Sequence, residues 1–340
     1  QEFPTGAVTL NGGAQFTTSR SVTATVAAPA DTAQIKTSFT GPGAVVPLDC
    51  TSAAGYGALP SPPTVALTIG ATSGAGSYTM QVCLKDSAGN VSKDASGTPA
   101  PVTTSIVFDA AAPAVALQLN AGALFTTSPT VNLAIAASDD LSAPLGGVVS
   151  MRIANNTPTF TGPSLPLQAT TTQTVSAPTT EGAKTVCVEV TDAAGRTGNT
   201  CASIGLQLTG PAGTVTIARA SGNFSTASNA ILSTTFSSAD AKIASFSFGQ
   251  APLDCASVPS SSFIAMTVNT PVTQSVPIAA GAGTSSVTGC FKAASGLLTS
   301  VTDTVFVDPL DPPLAQLIAP ANNSFSSTRT PTFQWAAINK

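Results

Sequence analysis

Leu10-Asn11-Gly12-Gly13-Ala14-Gln15-Phe16-Thr17-Thr18-Ser19 returns, with two substitutions, as Leu119-Asn120-Ala121-Gly122-Ala123-Leu124-Phe125-Thr126-Thr127-Ser128. Weaker copies run Ala220-Ser221-Gly222-Asn223-Phe224-Ser225-Thr226 and Ala321-Asn322-Asn323-Ser324-Phe325-Ser326-Ser327. The four phenylalanines stand 109, 99 and 101 residues apart. Such a period means that one structural unit is written several times along the chain. Behind the first two copies, apolar residues alternate at Val22, Ala24, Val26 and at Val131, Leu133, Ile135. Side chains on a strand alternate between its faces, so this period predicts strands with one buried and one wet side.

A second landmark closes each repeat. The strand pattern of Tyr78 to Lys85 runs into Asp86-Ser87-Ala88-Gly89-Asn90, and that of Lys184 to Thr191 into Asp192-Ala193-Ala194-Gly195-Arg196. The third copy, Val287 to Lys292, runs into Ala293-Ala294-Ser295-Gly296 and lacks the aspartate. Gly supplies the positive φ of a tight turn, and Asp bonds backbone amides two residues on. Proline-bearing linkers follow near Asp109 to Pro113, Thr209 to Gly213 and Asp308 to Pro313. A strand ending in Asp-x-Ala-Gly-Asn, then a short strand and a new repeat, resembles the bacterial immunoglobulin-like domains, which are strung in tandem along large secreted and surface proteins. The resemblance covers essentially the whole chain and is best in the first repeat. It implies an all-β fold of tandem immunoglobulin-like β-sandwiches arranged as an elongated rod. The expected domains are 1–109, 110–210 and 211–308, with 309–340 starting an incomplete fourth. A length near 100 residues suits a seven-stranded sandwich.

Composition agrees with an all-β reading. Of 340 residues only 8% are charged and 43% are hydrophobic. That is too apolar and too weakly charged for a disordered chain. The 28 Gly and 26 Pro punctuate short segments throughout. The net charge is −4 with scattered Lys and Arg, so no basic patch exists to neutralise phosphates and no nucleic acid is expected as a partner. No run of 18 apolar residues spans a membrane. Gln1-Glu2-Phe3 reads either as a mature terminus left by signal cleavage or as a remnant of cloning.

Six cysteines fall two to a repeat, none in a CxxC, and the chain has no histidine. An even, paired distribution without metal-ligand spacing predicts disulfides and an extracellular or cell-surface location. Pro47-Leu48-Asp49-Cys50 and Pro252-Leu253-Asp254-Cys255 share a motif, and each precedes a cysteine in the next long strand, which predicts Cys50–Cys83 and Cys255–Cys290. Cys187 and Cys201 are symmetric about Ala194, so a hairpin folded there sets them opposite one another. Buried free thiols, domain swapping and intermolecular pairing are the alternatives.

Without histidine neither a Ser-His-Asp triad nor a His-ligated metal can form. The three glutamates, Glu2, Glu181 and Glu189, mark no pair facing across a cleft. The chain is therefore read as a non-enzyme with no organic cofactor. Asp86, Asp139, Asp140 and Asp192, at strand ends and turns, are candidate Ca²⁺ ligands, set against their reading as turn and cap residues. Trp335, Tyr56 and Tyr78 read as core. The function expected is a structural or adhesive surface protein, a stalk or adhesin arm, whose partners are other protein subunits or surface ligands. The alternatives are a filament subunit forming a head-to-tail homopolymer by strand addition, and a non-catalytic appendage of a secreted enzyme. For the first of these, Leu317-Ile318, Phe325 and Pro331 to Trp335 read as the opening strands of the next repeat.

Overall fold

In the computed structural model, the residues described are all except 1, 143–145, 220–223, 226–230, 279–281, 309–314, 322, 324, 326 and 337–340. Much of the third and fourth landmark copies (220–223, 226, 322, 324 and 326), and of the Asp308–Pro313 linker, lies outside the described residues. The chain divides into two compact units, Gln1–Leu206 and Gln207–Lys340.

The first unit opens with β1 (Ala7–Leu10), β2 (Phe16–Thr17), β3 (Ser21–Ala27), β4 (Thr32–Thr40), β5 (Gly57–Ala58), β6 (Thr64–Thr68), β7 (Gly76–Asp86) and β8 (Val102–Phe108). They make a three-stranded sheet, β1-β3-β6, and a five-stranded sheet, β2-β8-β7-β4-β5. The alternation of β3 is literal: Val22, Ala24 and Val26 are buried, and the residues between them are exposed. They meet Tyr78, Met80, Val82 and Leu84 of β7, with Ile106 and Phe108 of β8, in one core between the sheets. This is the layered packing of an immunoglobulin-like or fibronectin-III-like sandwich.

The unit continues with β9 (Ala114–Leu119), β10 (Phe125–Thr126), β11 (Thr130–Ser138), β12 (Val148–Asn155), β13 (Leu165–Pro166), β14 (Thr170–Thr174), β15 (Gly182–Asp192) and β16 (Thr197–Leu206). The sheet orders repeat those of the first sandwich strand for strand, β14-β11-β9 and β10-β16-β15-β12-β13. Leu119, Val131 and Leu133 are buried from one sheet, Met151, Val186, Val188, Val190, Ile204 and Leu206 from the other.

The second unit holds β17 (Thr214–Ile217), β18 (Phe224–Ser225), β19 (Ile231–Ser237), β20 (Ile243–Gln250), β21 (Ile264–Ala265), β22 (Val272–Pro277), β23 (Gly283–Ala293) and β24 (Leu298–Val307) in the same two sheets. Its core is more aromatic, built around Phe236, Phe246, Phe248 and Phe291. By strand register Phe236 stands where Val26 and Ile135 stand. Gly289 stands where Val82 and Val188 stand. A Cβ at Gly289 would lie 2.8 Å from Val215 Cγ2 and 3.0 Å from Phe236 Cδ1, so the small residue makes room for the large one.

Three disulfides join Cys50 to Cys83, Cys187 to Cys201 and Cys255 to Cys290. The first and third tie the loop after β4 or β20 to the outer face of β7 or β23. In the first sandwich Gln81, which is buried, also holds this loop: its amide nitrogen donates to Val46 O at 2.9 Å and its oxygen accepts from Leu48 N at 2.8 Å. The second disulfide bridges directly opposed residues of β15 and β16.

The last described strands, β25 (Leu317–Ala319) and β26 (Gln334–Trp335), pair antiparallel. Tyr78 is a core residue as expected, but Trp335 is 58% exposed, because among the described residues no second sheet covers this pair. Tyr56 also lies outside the core, half-buried, donating to Cys50 O at 3.0 Å with the Lys85 ammonium 5.3 Å from its ring centroid.

Candidate cation site

The carboxylates of Asp109, Asp139 and Asp192 converge, with ligand oxygens within 4.8 Å of one another. Three strand ends bring them together. Asp109 follows the last strand of the first sandwich, and its amide donates to Thr17 O at 2.9 Å, extending the β2–β8 pairing by one residue. Asp139 follows β11. Asp192 ends β15 and opens the turn to β16. The connecting segment passes so close to the second sandwich that a Cβ at Gly198 would lie 1.9 Å from Pro113 O. Glycine at 198 is thus a packing requirement of the crossing.

Burial is deep for such charge: Asp109 is 1% exposed and Asp192 is 2% exposed. Buried charges ordinarily find partners, because desolvation disfavours them otherwise. Here the pairing is incomplete. Asp192 Oδ1 accepts from the turn amides of Ala194 and Arg196, both at 2.9 Å, while its Oδ2 is buried without a partner. Asp139 Oδ1 accepts from Asp140 N at 3.0 Å, and its Oδ2 is also unpartnered. Asp109 Oδ1 accepts from Ala111 N and faces Arg196 Nε at 3.5 Å. One guanidinium therefore stands against three carboxylates, with Asp140 adjacent.

Protonation records this imbalance. Burial, and after it the Asp192, Asp139 and Asp140 carboxylates, push Asp109 up to about 6, against the opposing pull of Arg196. Asp139 is raised as well, chiefly by burial. The donor set is all oxygen and no cysteine is free, which suits a hard divalent cation taking carboxylates, carbonyls and water.

Of the four aspartates singled out from sequence, Asp139 and Asp192 lie in this cluster. Asp140 is next to it and contributes field. Asp86 is elsewhere: it opens the equivalent turn of the first sandwich, and Asn90 engages both of its oxygens, by backbone N–H and by side-chain amide, each at 2.7 Å. These bonds hold its carboxyl below the usual range. In the second sandwich Arg196 replaces that asparagine and turns to Asp109, leaving Asp192 Oδ2 open. From sequence Asp109 reads as a linker residue, which hides it. Its one signal is its place directly after a strand that ends beside the next repeat.

The same place in the second unit is built differently. By register Gln207, Asp240 and Ala293 stand where Asp109, Asp139 and Asp192 stand. The turn amide of Ser295 donates to Gln207 Oε1 at 3.3 Å. Asp240 accepts from Ala212 N and Lys242 N, both at 2.9 Å. The Lys242 ammonium lies 3.8 Å from Asp240 and donates to Thr209 Oγ1 at 2.7 Å. A lysine supplies the positive charge there.

No family model matches the chain, and no curated protein matches it. Similar solved structures include a 1.5-MDa bacterial ice-binding adhesin, 14% identical, covering 90% of this chain and 98% of that one at TM-score 0.37. A tetra-tandem repeat from the extending region of a large adhesion protein is 17% identical over 92% and 76%, at TM-score 0.28. Fibronectin(III)-like modules of Clostridium thermocellum CbhA are 16% identical over 58% and 92%, at TM-score 0.29. Likeness at this level carries no argument about ligand or activity. The sandwich assignment rests on the sheets themselves. Among the described residues no helix is long and apolar enough to cross a membrane.

Proposed function

We propose that this chain is a non-catalytic extracellular repeat protein, a surface stalk or adhesin arm. The observation that carries the reading is one sandwich built three times, each copy closed by its own disulfide. Stapling of every copy fits an oxidising compartment. Buried Gln81 and Ser92 support it, since they serve the fold: Gln81 holds a loop, and Ser92 donates to Ala100 O at 2.9 Å. The sandwich boundaries belong to the same proposal, at 1–109, 110–210 and 211–308, with 309–340 opening a further copy. The cofactor reading is a Ca²⁺ ion held by Asp109, Asp139 and Asp192, with waters and backbone carbonyls completing an oxygen shell. Immunolabelling of unpermeabilised source cells tests the location, and competition by soluble chain tests adhesion. Surface label with loss of attachment is the expected result. A chain found inside the cell with reduced thiols overturns the reading.

The filament alternative draws support from β25 and β26, where Phe333 and Trp335 are 57% and 58% exposed. An open apolar pair of strands is a template for added strands. Deleting 309–340 decides: filaments that persist unchanged exclude strand addition through this segment.

A further inference from the structure

Resting on the cation reading above, we propose that the ion works as a lock on the segment from Asp109 to Pro113, and that Lys242 does the same job permanently for the segment from Gln207 to Gly213. Asp109 belongs to the end of β8, whereas Asp139 and Asp192 belong to the second sandwich. An ion shared by the three joins the exit of one sandwich to two loops of the next. Without it, the segment is fastened by the Arg196–Asp109 contact at 3.5 Å and by the packing of Pro113 against Gly198. The carboxylates meanwhile repel one another across 4.8 Å or less.

The second unit gives the internal comparison. There Ser238 Oγ donates to Ala212 O, Asp240 accepts from Ala212 N, and Lys242 donates to Thr209 O at 3.3 Å as well as to its hydroxyl. A covalently attached ammonium closes the place, so no solution ion is needed. The first place responds to cation supply and the second does not. Ion binding to the closed form alone lowers the population of locally opened chain by mass action.

Both segments carry exposed alanines, Ala110 to Ala112 and Ala212, which elastase accepts. Cleavage under native conditions reports the opened population when closing is fast. The experiment is elastase digestion of the full chain in millimolar CaCl₂ and after metal stripping, with cuts mapped by mass spectrometry and Ca²⁺ binding measured in parallel by calorimetry. Stripping is expected to accelerate cleavage at 110–112 at least tenfold and to leave cleavage at Ala212 unchanged. Asp192→Asn keeps the Oδ1 acceptor for the turn amides but lacks a second carboxylate oxygen, and should cut at one rate in both buffers. Lys242→Ala should speed cleavage at Ala212 in both. No Ca²⁺ binding at millimolar ion overturns the cation reading itself. Binding with no change at 110–112 overturns the lock and leaves the cation reading standing.

Discussion

The second and third sandwiches share strand order and register, yet they are fastened differently. In the third, a disulfide pins the loop after β20 onto the outer face of β23 through Cys290. In the second, Glu189 occupies that half-cystine position and faces Arg152 at 3.5 Å, while the disulfide sits farther back on β15 and crosses to β16. At the entry to the third sandwich Gln207 accepts from Ser295 N and Asp240 faces Lys242, whereas at the entry to the second three aspartates share one arginine. The frame comes from alternation and turns. The fastenings are interchangeable chemical solutions placed on it.

Removing the fastenings gives the largest expected effect. Cys255→Ser with Cys290→Ser releases a loop of 35 residues' separation, and Cys187→Ser with Cys201→Ser one of 14. The chain-entropy model gives about 4 kcal/mol for the former and about 3 kcal/mol for the latter. Urea unfolding of the two double variants checks the order; a costlier loss at 187–201 would mean that the cross-strand bridge does more than close a loop.

The cores should differ next. Gly289→Val, which restores the residue of the other two copies, is expected to cost about 1–3 kcal/mol by overpacking against Phe236 and Val215. Phe236→Val in the same chain should recover part of that loss. Additive costs in a double-mutant cycle would show that the two positions do not compensate.

Arg152→Ala should cost less than about 1 kcal/mol, because its side chain is 43% exposed and such pairs are weak. A larger loss would make this pair the true stand-in for the missing loop staple.

A further difference is a pH trend of the first unit. With Asp109 raised to about 6 in the fold against an ordinary 3.8, the metal-stripped folded state retains a proton that the unfolded chain has released between about 4 and 6. This group's contribution therefore falls as pH rises through that window. Asp303, held low by Arg219 and backbone amides against the effect of burial, has the opposite sense, present above its ordinary value and lost toward acid. Thermal midpoints of Asp109→Asn against the parent in metal-free buffers from pH 4 to 7 should converge at the acid end. Parallel curves would contradict the assignment.

The fold was legible because period-two alternation at Val22 to Val26 and Val131 to Ile135, and the turn at Gly89 and Gly195, are local signals. The disulfide partners followed from repeat positions and, for Cys187 and Cys201, from hairpin symmetry. The acidic cluster was only half legible. Asp139 and Asp192 stand at strand ends, but Asp109 joins them through a crossing that depends on Gly198 lacking a side chain, a contact between residues far apart in sequence. Asp86 and Asp192 differ locally only by Asn90 against Arg196 four residues on; that Asn90 folds back onto its own turn while Arg196 turns to Asp109 is set by the crossing segment, not by the motif.

Calcium titration of the full, metal-stripped chain by calorimetry tests the central claim most directly. The account predicts an ion held by Asp109, Asp139 and Asp192, bound at a Kd on the order of 10⁻³ M or tighter. Binding is lost in Asp109→Asn and in Asp192→Asn, and kept in Asp86→Asn. Absence of binding at millimolar Ca²⁺, or binding that survives Asp192→Asn, contradicts it.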